Sequence, residues 1–592
     1  MDKGLNLLIT LGHNSSAIGL KDGVVIGYEE ERLNRQKSSS LFPKQSIEEI
    51  FKHMQPEISE RGDNVNKIFV SHWYDDFNFH GLNRPKKIHE KIEKHWDCSY
   101  VRNLIKKYNF AFYTLSENFT HHDAHAWSVI SFFKNHYNKK DIFKSNIIVA
   151  DGFGNKQEVI TVYYFEYNPI TKEIIVNTVF KDYGYKRSLG LMYQFATAYT
   201  GMKENQDEYK FLGYESNIRD VVSVEGINFI NYYVNRFIET NWNSDTSKIG
   251  NIDTGFIDLS NVSGLGEARS YWYNTFNCLL DFLYNEKYLQ FDYYPNEYQK
   301  RIIIGFFIQS IIEKYHIDLL KNLNLKNILV AGGIYYNVKL NNTILKSVDN
   351  FCIVPLAGDQ GTAIGLYERY VGDFPFKNLL WGKRKEEISE YSIENKDKFI
   401  EEVVNSLCND DLVNVVYGAM EFGPRALCHT STLALPYNEN VKTINAINKR
   451  STVMPMAPVM LRKNANFLFS GEEKKVIGSD KYMIITYDYN RYMHDTAFNK
   501  ILGVAHKYPL DNLWSGRPQV IEDDDDSIIG HILRKMDDRG VKCLINTSYN
   551  IHGSPIVYTQ EDAIKDFQFQ LKMKEELKID QEIKLFVSNL EN

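Results

Sequence analysis

Three short apolar runs open the chain, each closed by a polar or glycine-containing break. NLLITLG, AIGL and VVIGYEEE are separated by the polar turn HNSS and by KDG, whose Asp22-Gly23 pair has the chemistry of a tight hairpin. The pattern predicts strand, turn, strand, hairpin, strand. Ser46 and Glu49 then stand at the spacing of a capping box, ahead of a helix with Ile47, Ile50, Phe51 and Met54 on one face. About 140 residues further on, NIIVADGFGNKQEVITVYYFEYNPITKEIIVNTVF (146–180) repeats the order of strand, Gly-rich turn, strand, hairpin, strand, which predicts a duplicated α/β domain. Backbone N–H groups of the turns after such strands suit anions. Residues 260–320 read as helical. KNILVAGGIYYNVKLN reads as strand, Gly-Gly turn and helix, and FCIVPLAGDQGTAIGLYERY as strand, loop and helix. From 374 to 396 apolar periodicity gives way to charge, which places a boundary between a first domain, 1–373, and a second α/β domain, 396–575. The tail beyond 575 reads as a minor element and EDDDD (522–526) as a solvated loop.

Length agrees with more than one domain, because 592 residues exceed what one core serves. A net charge of −7 excludes an overall basic field for holding nucleic acid or an anionic membrane. The longest apolar run, 302–312, falls short of the roughly 18 residues of a membrane span. Six scattered cysteines without a CxxC pair fit a reduced compartment, and the first residues lack a secretory pattern. The expectation is a cytoplasmic protein with no membrane contact.

Candidate chemistry concentrates in NFTHHDAHAWSVI (118–130). Thr120 can cap a helix on which His121 and His125, four apart, share one face and can grip one ion. His122 points elsewhere, as a structural residue or a substrate contact. Taken alone, these histidines would serve equally as surface or capped core residues. The spacing is not HExxH, so a metalloprotease is excluded. Asp151 ends the strand IIVAD and Asp359 sits in PLAGDQG. Carboxylates at strand ends in two halves of a duplicated domain would converge on the cleft between them. Two imidazoles and two carboxylates suit iron or zinc, not calcium or magnesium.

HNSSA, EEERLNRQK, HHDAHA, DGFG, SLGLMY, DEYKFLG, AGGIYYN, GDQGTAIG, EFGPRAL and NTSYNIHGSPIV, in this order over about residues 5–575, resemble the O-carbamoyltransferase family, which modifies nodulation factors, cephalosporins and aminoglycosides. The resemblance implies an N-terminal actin/hexokinase-like (ASKHA) ATPase-type domain and a C-terminal α/β domain similar to threonylcarbamoyl-adenylate synthase. It implies that ATP and carbamoyl phosphate give carbamoyl-adenylate, and that a metal-assisted step moves the carbamoyl group to an acceptor hydroxyl with release of AMP. His121, His125, Asp151 and Asp359 would hold iron(II) or another divalent metal, with magnesium accompanying ATP. Gly332, Gly333, Asn337 and Asn341 fall in the nucleotide loop. His13 would act as acid/base or phosphate contact, and Lys37 would touch acceptor or adenylate. Arg425, Lys449, Arg450, Arg517, Asn546 and Ser548 supply the cations and donors that carbamoyl phosphate and ATP need. Glu208 and Lys210 read as an intradomain pair.

The sequence also departs from the family pattern. Cys428 and Thr430 stand where the family has glycine and arginine, Met454 replaces an arginine, and Asn155 stands where glutamate is common. Two expected cations are missing: either Lys449 and Lys463 compensate, or the chain is a divergent branch with altered handling of carbamoyl phosphate, and a divergent but active enzyme is the expectation because Arg425, Arg517, Asn546 and Ser548 remain. The acceptor is expected to be a small molecule with a hydroxyl, such as a sugar or antibiotic; hydroxymethylated DNA bases also fit, and a homodimer is compatible. The aromatic-rich stretch 71–85 and residues 94–115 are the candidate acceptor-selecting loops. Competing readings are a threonylcarbamoyl-type tRNA-modifying enzyme, a sugar kinase and a non-catalytic nucleotide-binding regulator. The second domain and paired histidines disfavour the kinase, and intact metal ligands disfavour the regulator.

Overall fold

The computed structural model describes residues 4–590 except 13, 58–64, 72–96, 242–263, 385–386, 491–497 and 512. His13 and almost all of the aromatic-rich stretch 71–85 therefore lie outside the described residues.

The first sheet is built from β1 (Asn6–Thr10), β2 (Ser16–Lys21), β3 (Val24–Glu29), β4 (Lys67–Ser71) and β5 (Ala111–Thr114), in the order β3-β2-β1-β4-β5. Asp22 and Gly23 both adopt positive φ, 51° and 81°, as a hairpin turn matched to strand twist requires. The second sheet uses β6 (Phe143–Ala150), β7 (Glu158–Tyr167), β8 (Ile174–Tyr183), β9 (Asn327–Ala331) and β10 (Asn350–Ile353), in the order β10-β9-β6-β7-β8. In both sheets the first three strands are antiparallel neighbours, and the last two run parallel to the first. The same topology thus occurs twice.

The helix following each fifth strand, His121–His136 and Thr362–Tyr370, packs against the other. The approach is backbone on backbone: a Cβ on Gly365 would lie 1.8 Å from the Ala124 carbonyl oxygen. Gly365→Ala is expected to force these helices apart and to destabilise the protein by roughly 1–3 kcal/mol, measurable by denaturant unfolding.

The second α/β unit has a six-stranded sheet in the order Gln519–Ile521, Ala457–Leu461, Leu544–Ser548, Thr430–Ala434, Leu412–Tyr417, Ile583–Ser588. The tail beyond 575 is therefore more than a minor element: Ile583–Ser588 is an edge strand, parallel to Leu412–Tyr417. One other expectation changes. The helix expected to open at Ser46 begins at Lys44, with Pro43 at its N-cap, and Ser46 instead bonds the buried Glu30 carboxylate at 2.8 Å. In the stretch placed at the boundary, Phe374, Phe376, Leu379 and Trp381 are buried.

The segment EEERLNRQK joins the two units. Arg32 donates to the Gly423 carbonyl at 2.8 Å, and Arg35 to the Ile556 and Pro555 carbonyls at 2.8 and 3.2 Å. Two residues beyond Arg35, Lys37 reaches the wall of a cavity shared with the second unit. No helix among the described residues is long and apolar enough to cross a membrane.

Candidate active site

His121 opens its helix behind a capping box in which Thr120 accepts from the Asp123 N–H and Asp123 accepts from Thr120. The side chain of Asn155, the departure from glutamate, accepts from the His121 N–H at 2.8 Å and pins the first turn. On that turn the Nε2 atoms of His121 and His125 lie 3.1 Å apart. Asp151, just past β6, and Asp359, in the loop after β10, close on the same point. His121 Nε2 lies 3.1 Å from Asp151 and 3.4 Å from Asp359; His125 Nε2 lies 3.6 and 3.5 Å from them. Four bonds of about 2.0–2.2 Å around one ion would separate ligand atoms by about 3.3–3.6 Å in a tetrahedral set, so this donor group fits a metal. Burial opposes charge on His121, but hydrogen bonds with Asp151 and Asp359 outweigh it and raise its pKa to about 10. Despite burial, the imidazoles hold both aspartates well below the usual carboxylate range.

The surrounding motifs serve this group. The Gly333 N–H donates to Asp151 Oδ1 at 3.0 Å. Gly332, at φ 108°, lies so close to β6 that a Cβ would come within 2.1 Å of the Ala150 oxygen. Ser188, capping the helix Leu189–Tyr199, donates to the Gly152 carbonyl at 2.5 Å. His122 faces away, bonded to Thr161 Oγ1 at 2.8 Å, with burial and then its neighbouring histidines keeping it neutral.

A cavity of about 160 Å³ opens between the two units. Lys37 and Lys210 enter it from the first unit, Arg425, Arg450, Arg517 and His552 from the second, and among the described residues no carboxylate lines it. Among the described residues no carboxylate pairs with any of the three arginines. Arg425 Nε is buried without a hydrogen-bond partner. Arg450 is anchored by Thr547 Oγ1 at 2.9 Å and by the Ser548 carbonyl at 2.6 Å, and burial lowers its pKa to about 10. Burial, then repulsion from Arg425, pushes Arg517 well below its ordinary value. Enclosed guanidiniums that repel one another make a site for an anion. Tyr336 lines the same cavity, and its hydroxyl bonds Gln360, next to Asp359, at 3.3 Å. One tyrosine thus stands between the cavity and the loop that carries a member of the His/Asp group.

Residues 5–366 match the carbamoyltransferase N-terminus family and residues 404–580 the carbamoyltransferase C-terminus family. The chain belongs to the carbamoyltransferases. It is 27% identical to the uncharacterized protein MJ1051 of Methanocaldococcus jannaschii over 94% of this chain and 95% of that one. It is 25% identical to the nodulation protein NolNO of Sinorhizobium fredii over 44% of this chain and 41% of that one. With the nodulation protein U of Rhizobium fredii the identity is 28%, over 38% of this chain and 39% of that one.

In this carbamoyltransferase the candidate residues fall into separate places. His121, His125, Asp151 and Asp359 form the only group among the described residues with metal-ligand geometry. Lys37, Arg425, Arg450, Arg517, Asn546 and Ser548 share the cavity. Lys449 does not line it: at φ 52° the backbone turns there, and its ammonium lies 5.1 Å from the centre of the Phe569 ring. Lys463 pairs instead with Asp537 at 2.6 Å. Neither expected substitute supplies the missing cations, whereas Lys37 and Lys210 do stand in the cavity. Lys210 pairs with Asp207 at 2.6 Å, not with Glu208. Gly332 and Gly333 support Asp151. Asn337 caps the helix Val338–Lys346, and Asn341 ties Tyr335 to Ile484, its amide donating to both carbonyls.

The departures also find their places. Cys428 keeps the left-handed backbone, φ 76°, that a glycine would favour. Thr430 is buried, bonded through its hydroxyl to Glu421 and Arg384. Met454 packs against Gly213 at the cavity wall. Sequence reasoning missed Tyr209, Tyr336, His552 and Glu421. The Glu421 carboxylate accepts the N–H groups of Leu427, His429 and Thr430 at 2.8–3.0 Å and so shapes the loop bearing Arg425. Its place in EFGPRAL was the available signal.

Proposed function

We propose that this carbamoyltransferase is ATP-dependent and acts in two steps. In the cationic cavity, carbamoyl phosphate, ATP and water give carbamoyl-adenylate, inorganic phosphate and pyrophosphate, the products that atom balance requires. At the His/Asp group an acceptor hydroxyl then takes the carbamoyl group and AMP leaves. The observation that carries this reading is a cavity holding Arg425, Arg450, Arg517, Lys37 and Lys210 with no carboxylate among its described lining residues. Sites that enclose whole drug-sized ligands span roughly 300–1,000 Å³. At about 160 Å³ the cavity suits a small phosphorylated compound or the triphosphate end of a nucleotide. The two like repeats support an actin/hexokinase-like ancestry for the first unit.

His121, His125, Asp151 and Asp359 would hold iron(II) or another divalent metal, whose Lewis acidity would stabilise negative charge developing on the transferred group. The Gly333 N–H fixes the Asp151 carboxylate. A Cβ at Gly333 would lie 2.8 Å from Asp151 Oδ1, so Gly333→Ala is expected to weaken metal affinity about 10–100-fold, read by metal titration. The acceptor is a small molecule bearing a hydroxyl. The overall reading is tested by following AMP in the purified enzyme with ATP and carbamoyl phosphate. AMP should accumulate over turnovers only when an acceptor is added. Steady AMP release without acceptor, or its formation without carbamoyl phosphate, would refute the two-step scheme.

A further inference from the structure

The segment between the two units reaches into the loop that carries Arg425. Leu380–Gly382 forms a short antiparallel pair with Met420–Glu421, and Leu380 lies opposite Glu421. Beyond that pair the Lys383 carbonyl accepts from the Tyr28 hydroxyl of the first unit at 3.0 Å and from the Tyr558 hydroxyl of the second at 3.1 Å. The next residue, Arg384, turns its guanidinium into the second unit. It donates to the Gly418 carbonyl at 3.1 Å, to the Tyr558 carbonyl and to Thr430 Oγ1. Thr430 in turn donates to Glu421 Oε2 at 2.8 Å, while Glu421 Oε1 gathers the N–H groups of Leu427, His429 and Thr430. One hydroxyl therefore links the Arg384 cation to the carboxylate that shapes the loop. Where the family pattern has an arginine at position 430, this chain has that hydroxyl, and the guanidinium arrives from residue 384.

Electrostatics give this link its weight. Glu421 is buried, and a buried carboxylate is costly unless it is countered. Burial opposes its charge, but His429 and then Arg384 outweigh burial and lower its pKa. Burial keeps His429 itself neutral, whereas Arg384, lowered by burial to about 10, stays charged near neutral pH. Arg384 is thus the neighbour whose charge persists beside Glu421. The loop needs such an anchor, because Arg425 and Arg517 repel each other. Both can face one anion only if the backbone beneath them is fixed. We propose that Arg384 is a positioning residue for the carbamoyl phosphate half-reaction: through the Thr430 hydroxyl it holds the Glu421 carboxylate, and with it the loop that presents Arg425 to the cavity. This rests on the reading of the cavity as the site of that half-reaction. Arg384 does not line the cavity and acts through the loop alone.

The test follows the first burst of pyrophosphate from ATP and the full-length protein as carbamoyl phosphate is varied. Burst amplitude counts competent molecules, and the half-saturating concentration reports how well the cavity is arranged. Arg384→Ala should raise the half-saturating carbamoyl phosphate about tenfold, within the roughly 100-fold that an ångström of misplacement can cost, and should keep the amplitude. Arg384→Lys, which retains the charge, should recover part of the shift. Thr430→Val removes the hydroxyl at nearly constant shape and should give the same shift as Arg384→Ala, so it carries the test if that variant does not fold. The double variant should be no worse than either single one, because both act along one path. A lower amplitude at unchanged half-saturation in both single variants would reduce Arg384 to a stabilising contact and overturn the proposal. Additive shifts in the double variant would overturn the link through Thr430. A parent protein that released no pyrophosphate would remove the cavity reading and this assignment together, whereas a parental burst with unshifted variants would remove the assignment alone.

Discussion

His125→Ala is expected to lower carbamoyl transfer about 10³-fold or more while pyrophosphate release from ATP and carbamoyl phosphate continues. His125 is fully buried, and its Nε2 lies 3.1–3.6 Å from the ligand atoms of His121, Asp151 and Asp359. Removing it leaves two carboxylates against a single imidazole. A metal held by this group would lose a ligand, and with it several kcal/mol of charge stabilisation in the proposed transfer step. Elemental analysis of the purified variant should find little bound metal where the parent carries about one equivalent. A variant that kept its metal and its transfer activity would remove the His/Asp group from the mechanism.

Arg425→Ala should have the opposite profile: metal content unchanged, pyrophosphate release down about 10²–10³-fold. Its guanidinium has a buried Nε without a protein partner, stands close enough to Arg517 to repel it, and meets no carboxylate in the cavity. On the proposed reading, truncation removes a cation that would pair with substrate phosphate, a loss of about 10²–10³-fold. Lys37→Ala should resemble Arg425→Ala and not His125→Ala, because Lys37 lines the arginine cavity although it belongs to the first unit. Pyrophosphate release at the parental rate in Lys37→Ala would return that lysine to the acceptor side.

What the sequence revealed was mostly local. Strands β1 to β3 follow from alternation and from the Asp22-Gly23 turn, and the four metal-type donors follow from helical spacing and strand-end position. Contacts far apart in sequence were hidden. Ser46 does not cap because Glu30, sixteen residues earlier, takes its hydroxyl. Ile583–Ser588 becomes a strand only by pairing with Leu412–Tyr417. Adjacency misled at Lys449, where a left-handed residue turns one of two neighbouring cations away from the cavity that Arg450 lines. The cavity-lining Lys37 and Lys210 could not be read from the second unit at all, since they arrive from the first. Glu421 was overlooked for another reason: although it stands in EFGPRAL, it acts mainly by gathering backbone N–H groups around itself.

On the proposed reading, one chain carries two separable half-sites, a cationic cavity that makes an activated carbamoyl group and a His/Asp group that delivers it. That reading is tested most directly with iron(II), ATP and radiolabelled carbamoyl phosphate in the absence of acceptor. Labelled carbamoyl-adenylate should form in the parent protein and in His121→Ala, and should be absent in Arg425→Ala. Its absence from the parent, or its loss in His121→Ala to the same degree as in Arg425→Ala, would contradict the account.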